Sequence, residues 1–170
     1  MTDFIPGNNR VRVIVGLIGF LALCFAVSIA GAVVTATSAG TWYTTLQKPA
    51  FNPPNWIFAP VWTVLFVMMA VAAWQVWRQR GWRNAKAAML LFIVQLVLNF
   101  AWTYLFFGQR AIGVALVEIV ILLAAILATM RAFWMRDRVA GLLMIPYVGW
   151  VSFATLLNAA IWQLNQTPTT

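Results

Sequence analysis

The stretch VIVGLIGFLALCFAVSIAGAVVTA, residues 13–36, contains no charged side chain. About 20 predominantly apolar residues are enough for a helix to cross the hydrocarbon core of a bilayer. The run is also longer than the apolar core of a signal peptide, which spans about 7 to 15 residues. We therefore predict that residues 13–36 form a retained transmembrane helix and not a cleaved leader.

Four further stretches are long, apolar and nearly free of charge: 57–77, 87–108, 111–130 and 139–162. None of them alternates apolar and polar residues as the strands of a membrane barrel do. The chain is 64% hydrophobic and 8% charged, whereas soluble domains carry about a quarter charged residues. The sequence therefore predicts one all-α integral membrane domain over residues 1–170, a five-transmembrane-helix bundle. Its predicted helices cover residues 11–36, 57–79, 85–108, 111–134 and 139–162.

The cations are distributed very unevenly between the two sides that five spans would create. Eleven Lys and Arg residues oppose three acidic ones, and only Lys48 and Arg110 fall on the side of the first connection. Because cytoplasmic loops carry excess Lys and Arg, we predict that the N-terminus lies on the basic side, cytoplasmic if the membrane is an inner one. The cations form no continuous stripe, which argues against a nucleic-acid partner. The nine on the basic side are Arg10, Arg12, Arg78, Arg80, Arg83, Lys86, Arg131, Arg136 and Arg138.

Several kinds of chemistry are excluded by composition. The chain has no histidine, which removes imidazole-ligated haem, the common zinc sites and a triad with a histidine base. The single cysteine, Cys24, allows no intrachain disulfide. We find no glycine-rich phosphate loop and no nucleophile with an adjacent base. The sequence predicts no metal site, no obligatory cofactor and no conventional enzyme.

The first connection, TSAGTWYTTLQKPAFNPPN at 37–55, is much longer than the others. Long connections in compact proteins are usually functional or disordered. This one contains aromatic residues, including Trp42 and Tyr43, and three prolines that restrict the backbone. We predict a lid with a defined path over the cation-poor side. An aromatic belt at the membrane interface is the alternative.

The polar residues within the spans predict where the interior of the bundle lies. Polar side chains are costly in hydrocarbon and usually face the bundle interior. Three helices each present such a face, together suggesting a mostly apolar pocket with a few hydrogen-bonding groups. Alternatively, the two asparagines only form hydrogen bonds between helices. The predicted lining is Trp62 and Phe66 on the second helix, Gln95, Asn99 and Trp102 on the third, and Pro146, Trp150, Ala154 and Asn158 on the fifth.

Glu118 is the only carboxylate within a predicted span, near its middle. An ionised, unpaired carboxylate at that depth costs about 2.5 to 3.5 kcal/mol, so we expect a protonated side chain or a polar partner. Two interpretations remain open. A proton relay would support a proton-coupled transporter of amphipathic small molecules, whereas a neutral acid would only join helices.

Three blocks of the chain resemble a known family. They are WYTTLQKPAFNPPNWIFAPVW at 42–62, QLVLNFAWTYLFFG at 95–108 and IPYVGWVSFATLLN at 145–158. In these motifs and their spacing the chain resembles the translocator proteins, also called tryptophan-rich sensory proteins or peripheral benzodiazepine receptors, in their bacterial form. The resemblance covers most of the chain from the first connection onward.

The resemblance implies a five-helix bundle, often homodimeric, that binds tetrapyrroles such as protoporphyrin IX and drug-like isoquinolines and benzodiazepines. It assigns Trp42 to light-dependent porphyrin degradation, and it favours a structural role for Glu118, because relatives carry an acid there. It also connects the family with stress regulation. By motif, the ligand site comprises Tyr43, Trp62, Asn99, Trp102, Trp150, Ala154 and Leu157.

Sterol binding, known for some members, is the least supported part of this expectation. The family's sterol-recognition segment requires a tyrosine and then a cation, and here Ala159 and Gln163 occupy those positions. Lys48 and Arg110, in contrast, are suited to porphyrin propionates, since carboxylates bind well to cationic donors. We expect both to lie near the pocket mouth. The leading hypothesis is a membrane receptor for tetrapyrroles, with transport or photo-oxidative degradation as possible consequences of binding.

Overall fold

The structure, a computed structural model, describes residues 6–166. Regular structure within that range is entirely helical. Six α-helices and one π-helical turn follow each other along the chain. They are α1 (Pro6–Ala39), α2 (Trp42–Thr45), α3 (Asn55–Thr103), the π turn (Tyr104–Gly108), α4 (Ile112–Trp134), α5 (Arg138–Leu143) and α6 (Ile145–Leu164).

Four helical segments of the described chain are long and apolar enough to cross a membrane: Arg10–Ser38, Asn55–Gly108, Ile112–Trp134 and Arg138–Leu164. The chain is therefore a multi-pass helical membrane protein. The sequence predicted five spans, and the difference lies in α3. Its 49 residues include the second predicted helix and most of the third, which ends in the π turn. The predicted connection between those two helices is reduced to one non-helical residue.

That residue is Gly81, which has φ 67° and ψ 172°. This backbone conformation is essentially restricted to glycine. Along a straight helix, Trp62 and Trp102 would be about 60 Å apart at 1.5 Å per residue, yet both line one cavity. The chain therefore reverses at Gly81, and α3 consists of a first arm, residues 55–80, and a second arm, residues 82–103.

Helix α1 packs against both arms of α3. At Gly16 an added Cβ would collide with the Trp77 ring, so this close approach depends on the missing side chain. Phe20 contacts Trp77, Trp82 and Phe92, each with ring centroids 6.1 Å apart. The first helix is thus held at the turn between the two arms.

The remaining helices complete the bundle around the second arm. Helix α4 packs against this arm through Phe92 and Phe133, whose ring centroids are 6.0 Å apart. Asp137 caps α5 by accepting a hydrogen bond from the Ala140 amide at 2.7 Å. The predicted fifth helix is divided here into α5 and α6, with Pro146 in the first turn of α6, where proline is tolerated because those amides need no helical partner.

Candidate functional site

A cavity of about 470 Å³ lies between α1, both arms of α3, α6 and α2. Small-molecule sites commonly have volumes of about 300 to 1,000 Å³. Nine of the eleven residues that the sequence suggested for ligand binding line this cavity. They are Tyr43, Trp62, Phe66, Asn99, Trp102, Trp150, Ala154, Leu157 and Asn158.

The other two, Gln95 and Pro146, lie elsewhere. Gln95 is fully buried one turn from Asn99, and its amide atoms have no hydrogen-bond partner within residues 6–166. Pro146 lines a separate groove of about 710 Å³ between the first arm of α3 and α6. The Trp150 ring separates the two spaces, contacting Phe58 on the cavity side and Phe153 on the groove side, at 5.7 Å each.

Aromatic rings from both arms of α3 and from the π turn line the cavity. On the first arm of α3, Trp62 lies 5.7 Å from Phe66. At the end of the second arm, Trp102 stacks on Phe106 at 5.4 Å, and Phe106 contacts Phe107 at 4.9 Å. The two phenylalanines belong to the π turn, a local widening that often occurs at functional sites. It allows two consecutive rings to reach the same cavity.

The two asparagines line the cavity and also join helices. The Asn99 amide donates to the Tyr147 hydroxyl at 2.9 Å. The Trp102 indole donates to Asn158 Oδ1 at 3.1 Å, while Asn158 Nδ2 donates to the Ile112 carbonyl at 3.0 Å. Lining the cavity and joining helices, which the sequence offered as alternatives, are therefore compatible, and ligand binding stays a prediction. The hydrogen bonds fix the orientation of the Trp102 ring that faces the cavity.

Tyr43 closes the cavity from the lid side. Its ring packs against Phe107 at 5.6 Å, and its hydroxyl donates to Asn52 Oδ1 at 3.1 Å. Burial raises the pKa of Tyr43 above its ordinary value of 10.0, so the phenol remains a neutral donor at physiological pH. Two hydrogen bonds between Gln47 and Asn165, at 3.1 and 2.9 Å, attach the lid to the end of α6.

The two cations predicted for the lid side, Lys48 and Arg110, both lie over aromatic rings. The Lys48 ammonium is 4.8 Å from the Tyr43 ring centroid and donates to the Leu46 carbonyl at 3.1 Å. The Arg110 guanidinium is 5.9 Å from the ring of Trp42. Trp42 is half-buried against Phe106 and does not line the cavity. The role of these cations as propionate partners stays a prediction.

Sequence reasoning missed the wall supplied by α1. Small side chains dominate it, and they recur three and four residues apart, the spacing of one helix face. Small residues at helix interfaces in membranes allow close approach, and here they also leave room for the cavity. That spacing was a usable signal, although small residues alone do not distinguish a ligand wall from a helix contact. The α1 lining is Val27, Ser28, Gly31, Ala32, Thr35 and Ala36.

Glu118 lies outside this cavity, buried on α4. Its two carboxylate oxygens have no hydrogen-bond partner in the described part of the chain. No group of three His, Cys, Asp or Glu residues that could hold a metal comes together among residues 6–166. The chemistry available in the cavity is therefore stacking, apolar contact and hydrogen bonding.

Comparison with known proteins agrees with this architecture. Residues 20–163 match the model of the TspO/MBR family. The chain is 46% identical over 147 residues to the tryptophan-rich protein TspO of Chlorobaculum tepidum, covering 85% of this chain and 92% of that protein. It is 37% identical over 151 residues to the translocator protein of Bos taurus, covering 88% and 89%. It is also 37% identical over 146 residues to the tryptophan-rich sensory protein of Cereibacter sphaeroides, covering 86% and 89%. The resemblance seen in the three sequence blocks is confirmed, and this chain belongs to the TspO/MBR family.

Proposed function

We propose that this protein is a membrane receptor that holds a flat tetrapyrrole, such as protoporphyrin IX, in the cavity beneath the lid. The observation that carries the proposal is the aromatic lining of the cavity, with Trp62 and Phe66 on the first arm of α3 and Trp102 and Phe106 on the second arm and the π turn. Aromatic faces favour stacked or edge contacts with another π-system. Relatives named as translocator and sensory proteins support a receptor role in general.

The same cavity suits other flat, mostly apolar molecules, including isoquinolines and benzodiazepines. Protoporphyrin differs from these in carrying two carboxylates, and those groups need donors. Lys48 on the lid and Arg110, which lies between the π turn and α4, are the candidates. We do not extend the proposal to sterols, because Ala159 and Gln163 replace the tyrosine and the cation of the family's sterol segment.

Titration of the purified protein with protoporphyrin IX, followed by tryptophan quenching, tests the proposed site. We expect saturable binding that is weakened about tenfold or more by Ala154→Phe, which fills the cavity, and by Trp150→Ala, which removes a wall. Leu156→Phe and Trp56→Ala are matched controls, because both positions are exposed and neither lines the cavity. Unchanged affinity in both cavity variants would exclude this cavity as the site.

Comparing the binding of protoporphyrin IX with that of its dimethyl ester tests whether the two lid-side cations bind the propionates. Replacing Lys48 and Arg110 with Gln should weaken binding of the dicarboxylate by several-fold and leave binding of the ester unchanged. This follows because a charge-assisted hydrogen bond needs the ionised carboxylate. An equal loss for both ligands would show that the cations only hold the lid in place.

We further propose five crossings of the membrane, with the N-terminus on the basic side. The reversal at Gly81 supports this proposal, because it divides α3 into two arms that are each long enough to cross the membrane once. In a Cys24→Ser background, single cysteines at positions 84 and 137 should react with an impermeant reagent from one side, and cysteines at 47 and 109 from the other. A homodimer, which the resemblance implies, is tested by single-particle mass measurement in nanodiscs. A monomer at all concentrations would refute it.

An alternative function is proton-coupled transport through Glu118, favoured by its buried carboxyl without a partner among residues 6–166. Flux of an amphipathic substrate into liposomes should then respond to a pH gradient and be lost in Glu118→Gln. Glu118 does not line the cavity, so the proton and the ligand would bind at separate places. Flux that is independent of the gradient would reject coupling.

A second proposed consequence of porphyrin binding is light-dependent degradation of the bound porphyrin. Trp42 is an oxidisable indole next to Tyr43, which lines the cavity. Under illumination, the bound porphyrin should lose absorbance faster in the wild type than in Trp42→Phe. Equal rates in the two proteins would exclude a role for Trp42.

A further inference from the structure

The basic end of the bundle, defined as the end that carries the nine cations apart from Lys48 and Arg110, is held together by specific contacts. The Trp74 indole donates to the Val13 carbonyl at 2.9 Å and joins α1 to the first arm of α3. Gln79 donates to Asp137, and Arg80 donates to the Arg136 carbonyl at 3.3 Å. The turn at Gly81 and the connection between α4 and α5 therefore lie side by side.

The positive charge at this end lacks an anionic partner within the described chain. Asp137 is its only carboxylate among residues 6–166. This carboxylate caps α5 and accepts from Gln79. The arginines instead use neutral groups: Arg136 donates to the Ala132 carbonyl at 2.8 Å, and Arg78 lies 4.4 Å from the Trp74 ring. Like charges that are packed together without counter-charges attract anions strongly.

Exposed apolar side chains surround these cations. Trp134 and Met135 precede Arg136, while Val139 and Leu142 follow Arg138, and all four are about half exposed or more. A nucleic acid backbone or a run of acidic side chains alone offers no apolar group to cover that surface. A phospholipid offers a phosphate and acyl chains in the same molecule, which matches the alternation of charge and apolar surface.

We propose that the basic end binds the headgroup of an anionic phospholipid between the turn at Gly81 and the connection from α4 to α5. Arg80 and Arg138, one from each segment, hold the phosphate, since a guanidinium can donate two parallel hydrogen bonds to phosphate oxygens. The acyl chains lie along Trp134, Val139 and Leu142. Basic surfaces beside membrane helices commonly bind anionic headgroups.

Native mass spectrometry of the detergent-solubilised full chain tests this site. Phosphatidylglycerol and phosphatidylcholine with identical acyl chains are titrated separately, and bound lipid is counted. We expect phosphatidylglycerol to bind about tenfold more tightly, and the Arg80→Gln/Arg138→Gln variant to lose that preference. The Lys48→Gln/Arg110→Gln variant removes the same charge from the opposite end and should retain the preference.

Further measurements distinguish this proposal from simpler explanations. Arg138→Gln alone disrupts no side-chain hydrogen bond of the described chain, so we expect it to fold normally. Thermal unfolding in phosphatidylcholine that matches the wild type would show that a loss of preference does not result from misfolding. Inorganic phosphate should not displace the lipid at millimolar concentration. Displacement by phosphate, an equal affinity for both lipids, or a preference retained in both basic-end variants would each overturn the proposal.

Discussion

Replacement of Asn158 by Leu tests the hydrogen bonds that join three helices at the cavity wall. Asn158 is almost fully buried. It accepts from the Trp102 indole on α3 at 3.1 Å and donates to the Ile112 carbonyl on α4 at 3.0 Å. Leucine has the same number and branching of side-chain heavy atoms and can make neither bond, so the variant removes hydrogen bonds without opening a space.

The expected loss follows from measured interhelical hydrogen bonds in membranes. These average about 0.6 kcal/mol and reach about 1.7 kcal/mol each. Two such bonds give a decrease of about 1 to 3 kcal/mol in the free energy of unfolding. The lower part of that range is favoured, because the Ile112 carbonyl also lies in the first turn of α4 and can accept there from its own helix. The Trp102 N–H is the group left without a partner.

The assay is reversible unfolding in mixed micelles with increasing sodium dodecyl sulfate, followed by near-ultraviolet circular dichroism. The first of the two bonds is the one from the Trp102 indole, and the second is the one to the Ile112 carbonyl. A double-mutant cycle with Trp102→Phe isolates the first, with an expected coupling of about 0.5 to 1.5 kcal/mol. An additive cycle, or an Asn158→Leu variant as stable as the wild type, would refute this account of the wall.

Three further variants address packing, backbone and lid. Gly16→Ala should lower the free energy of unfolding by about 1 to 3 kcal/mol, because the added Cβ would collide with Trp77. Gly19→Ala is the matched control: its Cβ would meet no atom within 4 Å, so the variant should be neutral or stabilising in the same unfolding assay. Gly81→Ala should lower the free energy of unfolding by about 1 to 3 kcal/mol, because only glycine readily adopts the φ of 67° found there. Unchanged stability in this variant would contradict the need for glycine at the reversal. Tyr43→Phe should accelerate hydrogen exchange in residues 46–54, since the bond to Asn52 is lost. Because burial raises the pKa of Tyr43, its neutral phenol contributes fully to the free energy of unfolding below pH 10.0, and this contribution is lost as the pH rises through the folded-state pKa. If Tyr43→Phe lost stability equally steeply at alkaline pH, another group would be the cause.

Much of the candidate site could be predicted from the sequence because helix faces are local patterns. Asn99 and Trp102 share one face, as do Trp150, Ala154 and Asn158, and all five line the cavity. The same reasoning placed Gln95 and Pro146 with them, and the structure places them elsewhere. Spacing along a helix specifies which residues share a face, but the width of that face at the cavity depends on the neighbouring helices.

The sequence by itself determined that this is a helical membrane protein with a strong charge asymmetry and aromatic motifs of its family. Whether a segment inserts into the bilayer depends on its own length and polarity. Membrane insertion of a segment such as 13–36 can therefore be predicted from its sequence alone, without knowledge of the tertiary structure. Only the tertiary structure decided that the predicted connection between the second and third helices is a single reversing residue, Gly81, that α1 forms a cavity wall and that Trp150 separates the cavity from a groove. These features arise from how helices pack and rotate against each other, which depends on contacts between residues far apart in the chain.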